Sequence, residues 1–399
     1  MDTASAPAST FSGNRILDLP TTIFETMSRL AERHGAINLG QGFPDDRGPP
    51  DVVDAAARAL LEGSNQYPPL MGTPGLRQAL AVHAKRFYGL DVDWASEVMV
   101  TSGATEALAA CLIGLINPGD EVVLFQPLYD SYLPIVRLAG GVPRFVNLRA
   151  PDWSFTRADL EAAFSPRTRV VVVNDPLNPA AKVFDAGELS LIAEFVQRSN
   201  AVAVCDEVYE HIVFDGRRHI PLMTLPGMRE RCLKIGSAGK TFSLTGWKIG
   251  YVTAAPHLLQ PVAKAHQYLT FTTPPNLQTA VAFGLGKDDS YYAGLGSGLQ
   301  ARRDRLAAGL ADAGLEVLPS AGTYFIVARV SPAAMASAGA GDDLAYCRWL
   351  ATEVGVAAIP VSAFYAENPP ADCVRFCFSK KDEVLDGAVA RLRHRLKPA

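Results

Sequence analysis

The chain lacks most of the signatures that would settle a chemistry at once. It has six cysteines in 399 residues, and no C-x-x-C joins any of them. Most of Cys111, Cys205, Cys232, Cys347, Cys373 and Cys377 lie in apolar runs, which points to buried thiols in a reducing, cytoplasmic compartment rather than to a disulfide framework. The seven histidines form no H-x-H or H-E-x-x-H, so no metal site is expected. No G-x-G-x-x-G follows a strand pattern, which counts against a dinucleotide-binding dehydrogenase. No apolar run is long enough for a membrane span. The net charge of −4 gives no electrostatic case for nucleic acid or an anionic membrane as partner. Residues 1–13 have neither basic residues nor an apolar core, so a disordered arm is expected there, not a signal peptide.

What is present is a globular composition, 48% hydrophobic and 20% charged, with a strong alternation of element patterns. Helices are expected over 15–35, 51–62 and 75–88, with a glycine-proline turn at 38–45 and an irregular stretch at 65–75. From Glu97 to Thr253 seven short apolar strands follow: 98–101, 121–125, 143–148, 169–174, 201–206, 232–236 and 249–253. Helices at 103–116, 129–139, 159–164 and 186–200 separate most of them. Strands apolar on both faces and joined by helices predict an α/β fold with a buried, mostly parallel sheet, whose site lies beyond one edge of the strands. From about Asp288 the pattern changes to a smaller α+β region: helices at 290–313, 342–354 and 381–397, with strands at 315–318, 323–327, 356–359 and 373–378. The expected division is 1–13 arm, 14–50 a segment packing with the small domain, 51–288 a large domain and 289–399 a small one.

The stretch that organises the chain is Ile235-Gly-Ser-Ala-Gly-Lys240-Thr-Phe-Ser-Leu-Thr-Gly-Trp-Lys248. A lysine held between two buried strands is expected to be desolvated, which lowers its pKa and makes it a nucleophile toward a carbonyl. Ser237 and Lys248 beside it suit a phosphate. An amine plus a phosphate grip is what pyridoxal phosphate requires. An ordinary loop lysine would look the same from this stretch alone, so the other strand ends decide. Gly103-Ala104-Thr105 opens a helix and offers free N–H groups to an anion, or else is simply capped by Ser102 or Thr105. Asn178 ends the valine-rich strand in a turn. Asp206 ends the next, where an acid is costly to bury without a cation or donors. Arg375 alternates with apolar residues on a late strand, suiting either a bidentate carboxylate ligand or a structural ion pair.

Taken together, Gly103-Ala-Thr-Glu-Ala107, Tyr129-Asp-Ser-Tyr132, Asn178-Pro179, Asp206-Glu-Val-Tyr209, Ser237-Ala-Gly-Lys240, Gly246-Trp-Lys-Ile-Gly250 and Arg375-Phe-Cys-Phe resemble a fold-type I, class I/II aminotransferase over about Ile23 to Leu392. Asn38-Leu-Gly-Gln-Gly-Phe-Pro-Asp, Asn65-Gln-Tyr and His266-Gln-Tyr-Leu-Thr-Phe are similar to the kynurenine, glutamine and methionine branch, with N-succinyldiaminopimelate aminotransferases close behind. The resemblance implies pyridoxal 5′-phosphate as cofactor, with Lys240 bonded to its aldehyde and shuttling the proton. Asp206 would face the ring nitrogen, Asn178 and Tyr209 the 3-oxygen, and Tyr129 the ring face. Gly103, Ala104, Thr105, Ser237 and Lys248 would hold the phosphate, with Tyr67 reaching across from a second copy in a homodimer. Arg375, Asn178 and the Gly42 backbone would bind the substrate carboxylate. The chain departs from relatives in having Lys248 where arginine is common, and Leu177 and Ala181 where His or Thr and Gly are frequent. Residues 267–286 contain no Lys or Arg, so an apolar, aromatic or thioether side chain is expected in the pocket. The same chemistry also admits a cysteine-conjugate β-lyase. A cofactor-sensing regulator would need an added DNA-binding element, for which residues 1–20 are too short.

Overall fold

A computed structural model of the chain describes residues 21–396. The expected arm at 1–13, the start of the helix expected from residue 15 and the last residue of the helix expected to reach Lys397 lie outside the described residues.

The seven expected strands form one sheet in the order Val98–Ser102, Ile249–Ala254, Cys232–Ser237, Val202–Asp206, Thr168–Asn174, Glu121–Gln126, Val142–Asn147. Ile249–Ala254 is antiparallel to both neighbours, and all other pairings are parallel. Because Ile249–Ala254 is antiparallel to both Val98–Ser102 and Cys232–Ser237, the edge strand Val98–Ser102 still runs the same way as the rest. Six strands therefore end on one edge, and that edge collects Gly103, Asn174, Asp206 and Ser237. The alternation that gives a half-exposed strand is missing from Val170–Val173 because both sheet faces are covered, and all four valines are buried.

A four-stranded sheet, Ile359–Pro360, Cys373–Cys377, Phe325–Arg329, Glu316–Val317, carries Arg375 opposite Val327 and Ile359. The stretch expected as one strand at 356–359 serves two sheets, because Val356–Ala357 pairs with Ile37–Asn38 and only Ile359–Pro360 reaches Arg375. That pairing draws in the segment after the first helix, Ile23–His34, which Thr22 caps through Glu25 N–H and Gly35 ends in the left-handed conformation at φ 60°. The helix expected over 342–354 is α-helical over Asp343–Trp349 and widens to a π turn over Leu350–Val354. The helix expected at 129–139 begins only at Tyr132, so Tyr129 stands on the turn before it. Residues 254–288, unassigned from sequence, form helices Pro256–Leu269 and Pro275–Leu285. Each opens on a proline at its first position, where no N–H partner is lost, while Pro261 inside the first obscures the helical pattern.

All six cysteines are buried and free. No helix among the described residues is long and apolar enough to cross a membrane.

Candidate active site

The turns beyond the strand ends are tied to one another by their own polar groups. Asn174 Oδ1 accepts from the Asn178 N–H at 2.8 Å, and Asn174 Nδ2 donates to the Asp206 carbonyl at 2.8 Å. The Asp175 N–H donates to the same carbonyl at 3.1 Å. Asn178 and Asp206 are thus fixed as a unit, one strand apart. Lys240 lies on a single helical turn, Ala238–Thr241, entered directly from the buried strand Cys232–Ser237. Ala181, where relatives favour glycine, holds φ 56° while its carbonyl accepts from both Ala321 and Gly322 N–H. The turn therefore survives the substitution at the expense of a left-handed alanine.

These elements enclose a cavity of about 370 Å³. It is lined by Gly42, Gly103, Ala104, Thr105, Tyr129, Asn178, Asp206, Tyr209, Ser237, Lys240, Lys248 and Arg375, twelve positions expected from sequence. Tyr67, the remaining one, does not line it. It is 83% exposed on its own chain and meets Phe271 edge-on, with ring centroids 5.6 Å apart. Residues 267–286 do not line this cavity either, so the apolar pocket expected from their composition has a different source in this chain: Phe24, Phe43, Val208 and Phe325.

Asp206 is buried, and its Oδ2 accepts from the Tyr132 hydroxyl at 2.6 Å while Oδ1 has no protein partner. Burial pushes its carboxyl up, against the pull of the Tyr132 hydroxyl, the Val208 amide and Lys240. A buried carboxylate oxygen without a donor suits a protonated ring nitrogen. The expectation for Lys240 is corrected. Burial does pull its amine down, but Tyr324, Tyr129 and Asp206 around it outweigh burial, and the amine sits above its ordinary value. Three acidic neighbours brought together from distant positions reverse what desolvation alone would do. Its Nζ lies 5.7 Å from the Tyr209 ring centroid and 5.9 Å from that of Tyr324.

Arg375 donates to Asn178 Oδ1 and to the Gly40 carbonyl, both at 2.8 Å, and its guanidinium stacks 4.0 Å over the Phe325 ring. Its Nε is buried without a partner. Burial pulls its pKa down to about 10. No carboxylate of the chain pairs with it among the described ion pairs, so the structural alternative of a buried salt bridge is not what this strand builds.

The start of the helix Gly103–Leu115 answers the other open choice. Ser102 makes no capping hydrogen bond, so the first N–H groups face the cavity uncapped. A Cβ on Gly103 would lie 3.2 Å from Lys248 Nζ, and one on Gly250 only 2.5 Å from the Gly103 backbone. Two glycines thus let strand, helix start and ammonium converge on one point, which fits a phosphate. With the orphaned Asp206 oxygen on the opposite side, the residues present fit pyridoxal 5′-phosphate.

The face of the 206–210 turn that points away from the cavity carries its own charges. His219 approaches Asp175 Oδ2 through Nδ1 at 3.2 Å and Glu207 Oε2 through Nε2 at 2.8 Å, with all three buried. Two carboxylates on both ring nitrogens require an imidazolium. Burial pulls its pKa down, but Glu207 and Asp175 together raise it from 6.5 to about 10. A raised folded value means that this stabilisation is complete below pH 6.5 and is lost as pH rises through about 10. His219→Gln is therefore expected to lower the melting temperature at pH 6 and to flatten its decline between pH 7 and 10, measured by thermal unfolding across that range.

His83, Glu210 and His211 bring ligand atoms within 4.8 Å of one another, a grouping the histidine spacing did not suggest. Glu210 Oε2 already accepts from Lys234 Nζ and the Tyr88 hydroxyl, each at 2.6 Å, so an ammonium already pairs with the one carboxylate of this group. Tyr132 and Tyr324 were not singled out from sequence. Each sits in an apolar run where a tyrosine reads as core, and only the fold brings the Tyr132 hydroxyl to Asp206 and the Tyr324 ring to 5.9 Å from Lys240 Nζ.

Residues 34–392 match the family described as aminotransferase class I and II. A probable N-succinyldiaminopimelate aminotransferase, DapC, of Mycobacterium tuberculosis is 46% identical over 391 residues, covering 95% of this chain and 97% of the relative. Kynurenine–oxoglutarate transaminase 3 of Rattus norvegicus is 37% identical, covering 94% and 88%. The crystal structure of YbdL from Escherichia coli, reported with a methionine aminotransferase function, superimposes with a TM-score of 0.92 at 39% identity, covering 96% of this chain and 99% of that one. The chain belongs to the class I and II aminotransferases, and is a pyridoxal-5′-phosphate-dependent transaminase of fold type I.

Proposed function

We propose that this transaminase moves the amino group of an L-amino acid with an apolar, aromatic or thioether side chain, in a homodimer whose two sites each borrow Tyr67 from the other copy. The observation that carries the substrate class is the lining of the cavity. Beyond Lys240, Lys248 and Arg375 it has no cation among the described residues; Phe24, Phe43, Val208 and Phe325 line it, the Phe24 and Phe325 rings 5.2 and 4.0 Å from the Arg375 guanidinium. A second carboxylate on the substrate would go unpaired there. The exposed Tyr67, Tyr268 (84%) and Phe271 (42%) support a second copy, because aromatics this exposed favour burial in an interface.

The proposed roles follow from position. Pyridoxal 5′-phosphate supplies, when bound, a ring that accepts the electrons left by the departing α-proton. Lys240 would hold its aldehyde and, once freed, take the α-proton on Nζ and return it. Asp206 would hold the ring nitrogen through Oδ1. Tyr209 and Asn178 would donate to the 3-oxygen, Tyr129 would cover one face, and Ser237, Lys248 and the Ala104 and Thr105 amides would bind the phosphate. Arg375, oriented by Asn178, would take the substrate carboxylate, with the Gly42 backbone closing over it. We place the large domain at 51–288 and the small one at 289–399, with the cavity between strand ends of the first and Phe325 and Arg375 of the second.

The test is a single-turnover panel in which the holoenzyme meets individual amino acids and the cofactor absorbance is followed. Methionine, phenylalanine and kynurenine are expected to react at least about tenfold faster than aspartate, as one unpaired buried carboxylate implies. Equal rates for aspartate would sink the assignment of substrate class. N-succinyldiaminopimelate is the second reading, favoured by the 46% identity to the mycobacterial relative. It belongs in the same panel, as does a cysteine conjugate, whose pyruvate release would report β-elimination.

A further inference from the structure

The loop that brings Gly42 and Phe43 to the cavity is fastened along its length to residues near the end of the chain. The Leu39 carbonyl accepts from the Cys377 N–H at 2.7 Å, the Gly40 carbonyl from Arg375 at 2.8 Å and the Gly42 carbonyl from the Tyr324 hydroxyl at 2.8 Å. The Asp45 N–H donates to the Ser379 carbonyl at 3.2 Å. A Cβ on Gly42 would lie 2.8 Å from the Phe325 ring, so the loop passes close against the ring that stacks on Arg375. The residue that follows is Phe43.

Phe43 lines the cavity yet stays 43% exposed, so packing alone does little to fix its ring. A buried cation holds it instead. Lys380, 5% exposed, donates from Nζ to the Phe43 carbonyl and to Asp45 Oδ1, both at 3.0 Å, and its ammonium lies 4.7 Å from the Phe43 ring centroid. Taking an ammonium out of water is costly unless acceptors offset the loss. Here the carbonyl, the carboxylate and the ring that do so all belong to Phe43 and Asp45, and Lys380 has no other hydrogen-bond acceptor among the described residues. One cation therefore grips Phe43 at both its main chain and its ring.

We infer that Lys380 is a positioning residue that holds the Phe43 ring as a wall of the compartment for the substrate side chain, and that this ring favours a large apolar side chain over a small one. The inference rests on the reading of the cavity as a site for apolar amino acids bound through Arg375. It adds which ring sets the preference within that class, and it places the control of that ring outside the cavity, since Lys380 does not line it. A substrate whose carboxylate meets Arg375 lies beside Phe325 and Gly42, one residue from Phe43. An aromatic or thioether side chain is long enough to reach the ring, and a methyl group is not.

The test is Lys380→Met in the holoenzyme, which keeps an apolar stem and removes the ammonium. Two ratios are measured: the half-saturating concentration of phenylalanine over that of alanine in single turnover, and the dissociation constant of hydrocinnamate over that of propionate, two carboxylates with no amino group to react. Both ratios are expected to rise about fivefold, the size of one lost aromatic contact. Phe43→Ala is expected to raise them as much, and Lys380→Met added to Phe43→Ala to change them by less than about twofold, because the lysine acts through the ring. Ratios unmoved in Lys380→Met, or effects that multiply in full in the double variant, would overturn the inference, since a lysine that only supports the fold weakens large and small ligands alike. If Lys380→Met melts early, Asp45→Asn serves instead. It weakens one acceptor of the ammonium and is expected to raise both ratios by about twofold to threefold; unmoved ratios there overturn the inference too. Aspartate reacting as fast as phenylalanine in the wild type would refute the substrate class alone, because both ratios compare apolar ligands and still report on Lys380.

Discussion

Replacing Lys240 with alanine is expected to lower turnover by about 10⁵-fold or more while leaving the fold in place. The size follows from two roles carried by one nitrogen. The amine that would hold the aldehyde is also the base placed to take the α-proton, and no other lysine or histidine lines the cavity except Lys248, at the phosphate end. The fold should survive because the lysine is a half-buried cation on a one-turn helix, and alanine removes a desolvation cost while suiting the helix better. Circular dichroism and melting temperature near wild-type values, with no detectable product over hours, are the expected outcome. Turnover within a hundredfold of wild type would assign the proton transfer elsewhere.

The second large effect is expected from Asp206→Asn. The two side chains have the same shape, so the Tyr132 hydroxyl keeps an acceptor at the position where it now meets Oδ2 at 2.6 Å. What changes is charge. A carboxylate holds a protonated ring nitrogen, and hence an electron-accepting ring; an amide oxygen holds it far less strongly. Turnover is expected to fall by about 10³-fold with every amino acid tried. Stability should move little, or rise, because burial already pushes this carboxyl up and an amide is cheaper to bury. The check is single-turnover kinetics with melting curves on the same preparations. A loss below tenfold would mean that the orphaned Oδ1 has another purpose.

Much of this was legible in the sequence for a physical reason: a buried parallel sheet leaves long apolar runs, and its chemistry collects where those runs stop. Gly103, Asn178, Asp206 and Lys240 could be picked out because each is a polar or small residue at the end of an apolar strand or in the turn that follows it. Arg375 stood out as an arginine alternating with apolar residues along a strand. The parts that were not legible depend on chain segments far apart in sequence. The direction of the Lys240 shift needs Tyr324, Tyr129 and Asp206 at once, contributed by three separate elements. Tyr132 looks like any helix tyrosine until the sheet brings Asp206 to its hydroxyl. The helices Pro256–Leu269 and Pro275–Leu285 were hidden by prolines that stop a helix in mid-course but are harmless at its first position. Tyr67 and Phe271 meet each other at the surface and do not line their own chain's cavity, so the proposed role of Tyr67 depends on a second copy.

The central claim is that the ε-nitrogen of Lys240 carries the cofactor. Borohydride reduction of the holoenzyme followed by peptide mass mapping tests it most directly. The account predicts one reduced pyridoxyl phosphate adduct per chain, on the peptide containing Lys240. An adduct on Lys248 or any other lysine, with Lys240 unmodified, would contradict it.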